Sequence, residues 1–527
     1  LTKSADDLEE NSLASKTPNP FKEQEKNEFA GSFNNLKSIL KFLAALSPII
    51  EGRGIVDIFK QFIQLAIDIQ TESNTRNGLA EEIYYNTLIA LPYLLSNDFS
   101  DTSKGYANEV IELAERFPFS DAESSQSFAI FEPFNKKDLS LEGQIPYHPQ
   151  SIASLILPAL KDLQTPEKSW ANLKDKLFID FQELIEPIIA RSLENNPLGN
   201  EPTKHALPPL AFPSSASLLL DYNPNGIIDN VWYRYPRILF QVYNITTDFE
   251  TVPPINSYTG IFFKDLAFDI LNNMSFNKSE ASIQLSILDL YFNKDLFSPP
   301  GSSIEQLSMI HKDNVSGENS PPLSTWKVED VAVESILTMI FQLPLPLHVE
   351  VYYYSVLISC CKENPDSIAP VFGRAIRFFY NNLESLDYEL KIRFLDWMSI
   401  QISNFEFSWK WDEWVKDSQR YRKLKYHPKR NFVKNLIAKE IRLSNKKRIR
   451  ESFVTLDPES GSLVHLKEFY QYLDLSLVQN DPNFVLDYDS ELFGNLEEIR
   501  NIFAKLLDER EEKRATSAVD VVTISPQ

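Results

Sequence analysis

Residues 347–403 read LHVEVYYYSVLISCCKENPDSIAPVFGRAIRFFYNNLESLDYELKIRFLDWMSIQIS, and this stretch decides the fold class. Ile368, Val371, Phe372, Ala375, Phe379 and Leu383 recur at spacings of three and four, which puts one apolar stripe along an α-helix. Arg374 and Arg377 lie opposite the stripe, placed to meet solvent or the carboxylates of a neighbouring helix. The pattern predicts helices over Leu347–Lys362, Ser367–Leu386 and Tyr388–Ser403, separated only by ENPD and by Asp387. Helices joined by connections this short fold back on one another as hairpins.

Working outward, the same periodicity predicts helices over Tyr258–Asn272, Lys278–Phe292, Lys327–Gln342 and Asn431–Leu443. HKDNVSGENSPPLS (311–324) reads as a surface loop. Towards the N-terminus, Leu36, Ile39, Leu40, Leu43 and Leu46 form a helical stripe, repeated in Val56–Ile69 and Ala80–Leu95. Ser96–Lys104 reads as a loop, and Glu109–Arg116, Ile152–Leu163 and Leu173–Leu193 as helices, with 117–149 irregular. Residues 1–30 are polar and lack bulky apolar side chains, the composition of a disordered arm or loop. NNPLGNEPTKHALPPLAFP (195–213) opens a Pro-, Asn- and Ser-rich boundary over 195–230. Phe453–Pro482 is ambiguous, and Leu492–Glu511 reads as helix. No repeat aligns residue by residue, but the paired helices fit an all-α fold: a HEAT-like α-solenoid of antiparallel helical hairpins.

At 527 residues the chain exceeds one hydrophobic core. Only 14 Gly occur, and few interrupt the apolar segments, which favours helices over sheet-rich folds. The net charge of −22 excludes a chain that coats nucleic acid through its overall field. Cys360 and Cys361 are the only cysteines, too few for a disulfide framework or a thiolate zinc site, and their apolar helix suits buried packing. No run of about 18 apolar residues occurs, so a soluble chain with no membrane partner is expected.

Phosphate loops, the G-x-S-x-G elbow and H-E-x-x-H are absent, and the six His are scattered singly. No catalytic, cofactor-binding or metal site is expected, and the chain reads as a non-enzyme. Two features stand out. Phe405, Phe407, Trp409, Trp411 and Trp414 alternate with polar residues in SNFEFSWKWDEW (403–414). Such rings stack on bases or plug the space between helices, and packing is favoured because Trp is usually buried. The second feature is a basic stretch: Arg420, Arg422, Lys423, Lys425, Lys429, Arg430, Lys434, Lys439, Arg442, Lys446, Lys447, Arg448 and Arg450, with Tyr421 and Tyr426 interleaved and Glu440 as the acid among them. Arg420, Arg422, Lys423, Lys425, Tyr426, Lys429 and Arg430 are the candidate contacts for RNA or a protein partner; the competing reading is a solvated helix face with a polar loop. KKRIR (446–450) also has the composition of a nuclear import signal.

The stretch 367–414 resembles the second helical domain of the large subunit of the nuclear cap-binding complex, especially its fungal members. So do YPRILFQVYN (235–244), FETVPPINSYTG (249–260), VEDVAVESILTMIFQLP (328–344) and NFVKNLIAKEIRLSN (431–445). LKSILKFLAALSPI (36–49) and EEIYYNTLIALPYLL (81–95) look like later helices of that family's first domain. The resemblance implies hairpin domains related to the middle domain of the large translation-initiation scaffold factor. It divides the chain into the arm 1–30, the C-terminal part of a first domain (31–200), a linker (201–230), a second domain (231–452), and a linker with the start of an incomplete third domain (453–527). A fragment is expected, because family members have a basic import arm before, and a third domain after, the matched region. The implied partners are the small cap-binding subunit, an RNA-recognition-motif protein that holds the 7-methylguanosine cap, with capped RNA reached mainly through it, and RNA export and surveillance factors. The implied setting is the nucleus with shuttling to the cytoplasm, in splicing, export and mRNA surveillance. The alternative is another HEAT-like scaffold, in translation initiation or mRNA decay, which leaves FGRAIRFFY (372–380) and FSWKWDEW (407–414) to chance.

Overall fold

The computed structural model describes residues 30–73, 77–119, 147–148, 152–165, 167–181, 204–221, 239–343, 346–457 and 460–473, with isolated positions over 183–191 and 504–509. The chain forms two compact units, Leu1–Arg393 and Phe394–Gln527.

In the first unit, α1 (Ala30–Ala45), α2 (Gly54–Glu72), α3 (Gly78–Ala90), α4 (Asp101–Ala114) and α5 (Ile152–Gln164) follow one another. Every residue of α3 is buried, because α1, α2 and α5 surround it. Asn77 starts this helix by accepting from the Ala80 amide at 3.1 Å. After α6 (Ser215–Asp221) come α7 (Tyr258–Asn273), α8 (Lys278–Ser286), α9 (Ile304–Ser316), α10 (Val328–Ile340), α11 (Glu350–Glu363) and α12 (Pro365–Asn381). α10 is again buried throughout, enclosed by α7, α8, α11 and α12. Two wholly buried helices wrapped by amphipathic ones form the core, and α5 packs on α7 to join their surroundings. The second unit holds α14 (Val415–Arg420), α15 (Pro428–Leu443) and α16 (Lys446–Ser452); the division between units falls inside α13 (Tyr388–Ser403). The fold is of the expected all-α, HEAT-like class.

Buried acids on α10 are matched one by one. Lys264 donates to Glu334 at 2.8 Å, and the Tyr243 amide donates to the same carboxylate at 3.1 Å. Arg374 pairs with Asp330 and lies over the Tyr243 ring, 4.5 Å from its centroid. Of the two solvent-or-carboxylate outcomes for Arg374, the carboxylate is the one found. Gly260, in the first turn of α7, is required by sterics: a Cβ there would lie 2.0 Å from the Pro254 carbonyl oxygen.

Several expectations are corrected. The stripe on α1 places Ile39 on the buried face, but Ile39 and Phe42 are exposed and Lys37 is buried instead. The helix expected from Glu109 begins at Asp101, since Ser100 caps it by accepting from the Ser103 amide at 3.3 Å. The helix expected over Leu173–Leu193 is interrupted after a π-turn at Leu173–Leu177, and the described positions between 183 and 191 are helical again. Phe178 is extended and packs its ring 5.1 Å from Tyr93. α9 takes the first half of the expected loop 311–324; a Ser303–Gln306 capping box starts it, and Gly317 ends it at φ +80°. The ambiguous stretch after Phe453 contains an antiparallel pair, β1 (Val454–Leu456) with β2 (Leu463–His465), then a 3-10 turn over Lys467–Tyr472. Residues 1–29 and most of 492–511 lie outside the described residues.

Candidate nucleic-acid or partner interface

Both features singled out in the sequence lie in the second unit. At the end of α13 the chain reverses through two consecutive left-handed residues, Glu406 (φ +59°) and Phe407 (φ +58°), and the Phe407 amide donates to Ile402 O at 2.8 Å. Left-handed backbone at non-glycine residues costs about 1 kcal/mol or more each. Ring burial offsets it. Phe407, Trp411 and Trp414 are buried, with Trp411 5.0 Å from Phe453, 5.3 Å from Phe469 and 5.8 Å from Trp414. Trp414 in turn approaches Phe432 of α15, which stacks on Phe394 at 4.7 Å. Three rings of the aromatic run therefore lie in the core of this unit, and packing prevails over the ligand-stacking alternative for them.

The candidate residues occupy the end of α14, the turn that follows, and the first turn of α15. Arg420, Arg422, Lys423 and Lys425 are exposed, whereas Tyr426, Lys429 and Arg430 are half-buried. The structure gives the last two specific work. Lys429 donates to Asp417 at 2.9 Å, which ties α15 to α14. Arg430 donates from Nε to Arg422 O at 3.1 Å and from Nη1 to Lys425 O at 3.2 Å. One guanidinium thus fixes the turn that carries the exposed cations. Tyr421 and His427 stack with centroids 3.5 Å apart, Arg420 lies 5.2 Å from the Tyr421 ring, and Lys425 lies 5.6 Å from that of Tyr426.

Electrostatics add two points that sequence reading missed. Burial and the nearby charges of Arg430 and Lys425 pull the Lys434 ammonium below its ordinary value, which places these three cations in one field. Glu440 is fully buried with neither carboxyl oxygen hydrogen-bonded, and burial holds its pKa well above the carboxylate range. Burial thus favours its protonated form over the carboxylate. Its position on the inner face of α15 beside Leu436 and Ile437 was the available signal. Further along, Lys439 pairs with Asp396 and Arg448 with Glu406.

Burial pushes the Cys360 thiol up to about 12 and the Cys361 thiol to about 11, so neither is a thiolate at neutral pH. Among the described residues no group of three or more His, Cys, Asp or Glu is arranged to hold a metal ion, and no helix is long and apolar enough to cross a membrane.

Comparison with known proteins shows what the chain resembles. Residues 253–455 match the family described as MIF4G like. The chain is 38% identical over 458 residues to nuclear cap-binding protein complex subunit 1 of Eremothecium gossypii, covering 86% of this chain and 48% of that protein. It is 36% identical over 470 residues to the protein of that name from Saccharomyces cerevisiae, covering 88% and 49%. Nuclear cap-binding protein subunit 1 of Homo sapiens is 27% identical over 275 residues, covering 50% and 30%. The chain thus spans about half the length of the two fungal relatives.

Proposed function

We propose that this chain belongs with the nuclear cap-binding complex large subunits it resembles and is a non-catalytic helical scaffold. It supports a small RNA-recognition-motif subunit, and that subunit holds the 7-methylguanosine cap. The observation that carries this reading is the extent of the likeness, which runs through most of the chain rather than resting on one motif. The packing supports it as well. Cap recognition by stacking needs accessible aromatic faces, and Trp411 and Trp414 of the aromatic run are spent on the core. A cap site supplied by a partner fits that arrangement.

On this reading the chain acts in the nucleus and shuttles to the cytoplasm, in splicing, RNA export and mRNA surveillance. Residues 31–200 and 231–452 supply hairpin domains to the complex, and the 420–430 connection serves as a contact surface. The test is co-purification with a fungal small cap-binding subunit, followed by titration with a capped RNA oligonucleotide and its uncapped twin. A stable heterodimer that prefers the capped strand is expected. Failure to associate, both by this chain and by a version extended to the full length of its relatives, would overturn the proposal.

A further inference from the structure

We propose that the α14–α15 connection binds the phosphate backbone of single-stranded RNA directly, through Arg420, Arg422, Lys423 and Lys425, with Lys434 behind them. The inference does not depend on the cap-binding reading, because it concerns a contact made by this chain alone.

The charge is concentrated. Within a chain of net charge −22, the only acid between Arg420 and Arg450 is Glu440, which is buried. α15 also begins against the usual electrostatic rule. Its first turn holds Lys429 and Arg430, contains no acid, and has no side-chain cap at His427. Cations at the positive end of a helix dipole are unfavourable by a few tenths of a kcal/mol to about 1 kcal/mol each. Lys429 and Arg430 hold that place through their bonds to Asp417 and the turn carbonyls, and an anion bound at this end would relieve the residual repulsion.

The geometry is held before any ligand arrives. Two bonds from Arg430 to the carbonyls of Arg422 and Lys425 fix the backbone between them, so less ordering cost falls on binding. The aromatic faces argue for phosphates over bases. Tyr421 has His427 stacked on its ring at 3.5 Å and the Arg420 guanidinium 5.2 Å away, so this ring is already engaged. A protein partner is disfavoured by a different observation. Interface cores need buried apolar or aromatic anchors, and among the described residues no exposed large apolar side chain lies between positions 389 and 442. A polyanion needs none.

The test uses the full chain, without a second protein, and a fluorescein-labelled uncapped oligouridylate read by anisotropy across a salt series. Charge reversal in R422E/K423E/K425E is expected to weaken binding more than tenfold. It should also lower the salt slope by about 2, from roughly 0.7 per phosphate contact on a single strand. K278E/K312E/K362E, which makes the same charge change at exposed lysines elsewhere in the chain, should change affinity less than twofold. The neutralised triple R422Q/K423Q/K425Q guards against misfolding and should show an intermediate loss with an unchanged circular dichroism spectrum. Equal losses in both reversal variants would overturn the proposal, reducing the effect to overall charge. So would polyglutamate that binds the parent as tightly as the oligouridylate and weakens equally in R422E/K423E/K425E, which would assign the surface to an acidic protein.

Discussion

Lys37 and Asp265, 228 positions apart, form a buried pair in which the ammonium donates to both carboxylate oxygens at 2.8 and 2.9 Å. The two side chains are 1% and 0% exposed. Tyr85 donates to the same carboxylate at 2.9 Å, Lys41 lies 3.6 Å away, and Lys37 also pairs with Asp269. Burial alone pushes the Asp265 carboxyl up; the charges of Lys37 and Lys41 and the bonds from Lys37 and Tyr85 outweigh it and hold the group below its ordinary value. The pair clamps α1 to α7 inside one unit.

Removing one partner strands the other charge in the core. Lys37→Met is therefore expected to cost about 3–5 kcal/mol, the range for a broken buried pair. Lys37→Met/Asp265→Leu should lose less than the two single variants summed, because neither charge remains. Urea unfolding of all four proteins checks this, and strict additivity would deny the coupling. Asp265 carries a depressed folded pKa, so its contribution is complete above the ordinary carboxylate pKa and is lost as pH falls through the lower folded value.

Gly260→Ala tests the close approach of α7 to the Pro254 carbonyl. A methyl group 2.0 Å from a backbone oxygen forces the chain aside. The expected loss is about 1–3 kcal/mol, as for overpacking generally, despite the better helix propensity of alanine. Thermal unfolding measures it, and an unchanged midpoint would remove the steric argument.

Glu440 gives a pH signature of the opposite sign. Its folded pKa is raised well above the ordinary value. The unfolded state loses its proton first as pH climbs, and stability falls between the ordinary carboxylate pKa and the raised one. Glu440→Gln removes that loss. Its urea midpoint should exceed the parent's at pH 7.5, with the difference shrinking towards pH 4.5. A difference equal at both pH values would mean that the carboxyl is not held protonated.

Trp411 tests whether the aromatic run is core or ligand platform. Trp411→Ala is expected to cost about 3–5 kcal/mol, typical of a large buried ring. Addition of 7-methyl-GTP to the parent chain alone should leave tryptophan fluorescence unquenched. Quenching that disappears in the variant would instead make the ring a ligand contact.

Local periodicity alone determined the helical class: Tyr388–Ser403 has the expected bounds, and Ile152, Tyr258 and Leu443 stand at the helix ends their patterns indicated. The basic run and the aromatic run were equally legible, because composition is local. Which side chains face inward at the margins was not. Lys37 took the buried place on α1 because Asp265 faces it there, while Ile39 on the same helix met solvent. Lys429 and Arg430 read as candidate RNA or partner contacts in the sequence, yet they hold the turn together through Asp417 and two carbonyls. Glu440 read as the one counter-charge in a basic segment, and burial favours its neutral form. Periodicity reports which faces of a helix favour leaving water, an energy each helix carries by itself. Desolvation, charge pairing and protonation depend on what stands opposite, and only the packing of distant segments decides that.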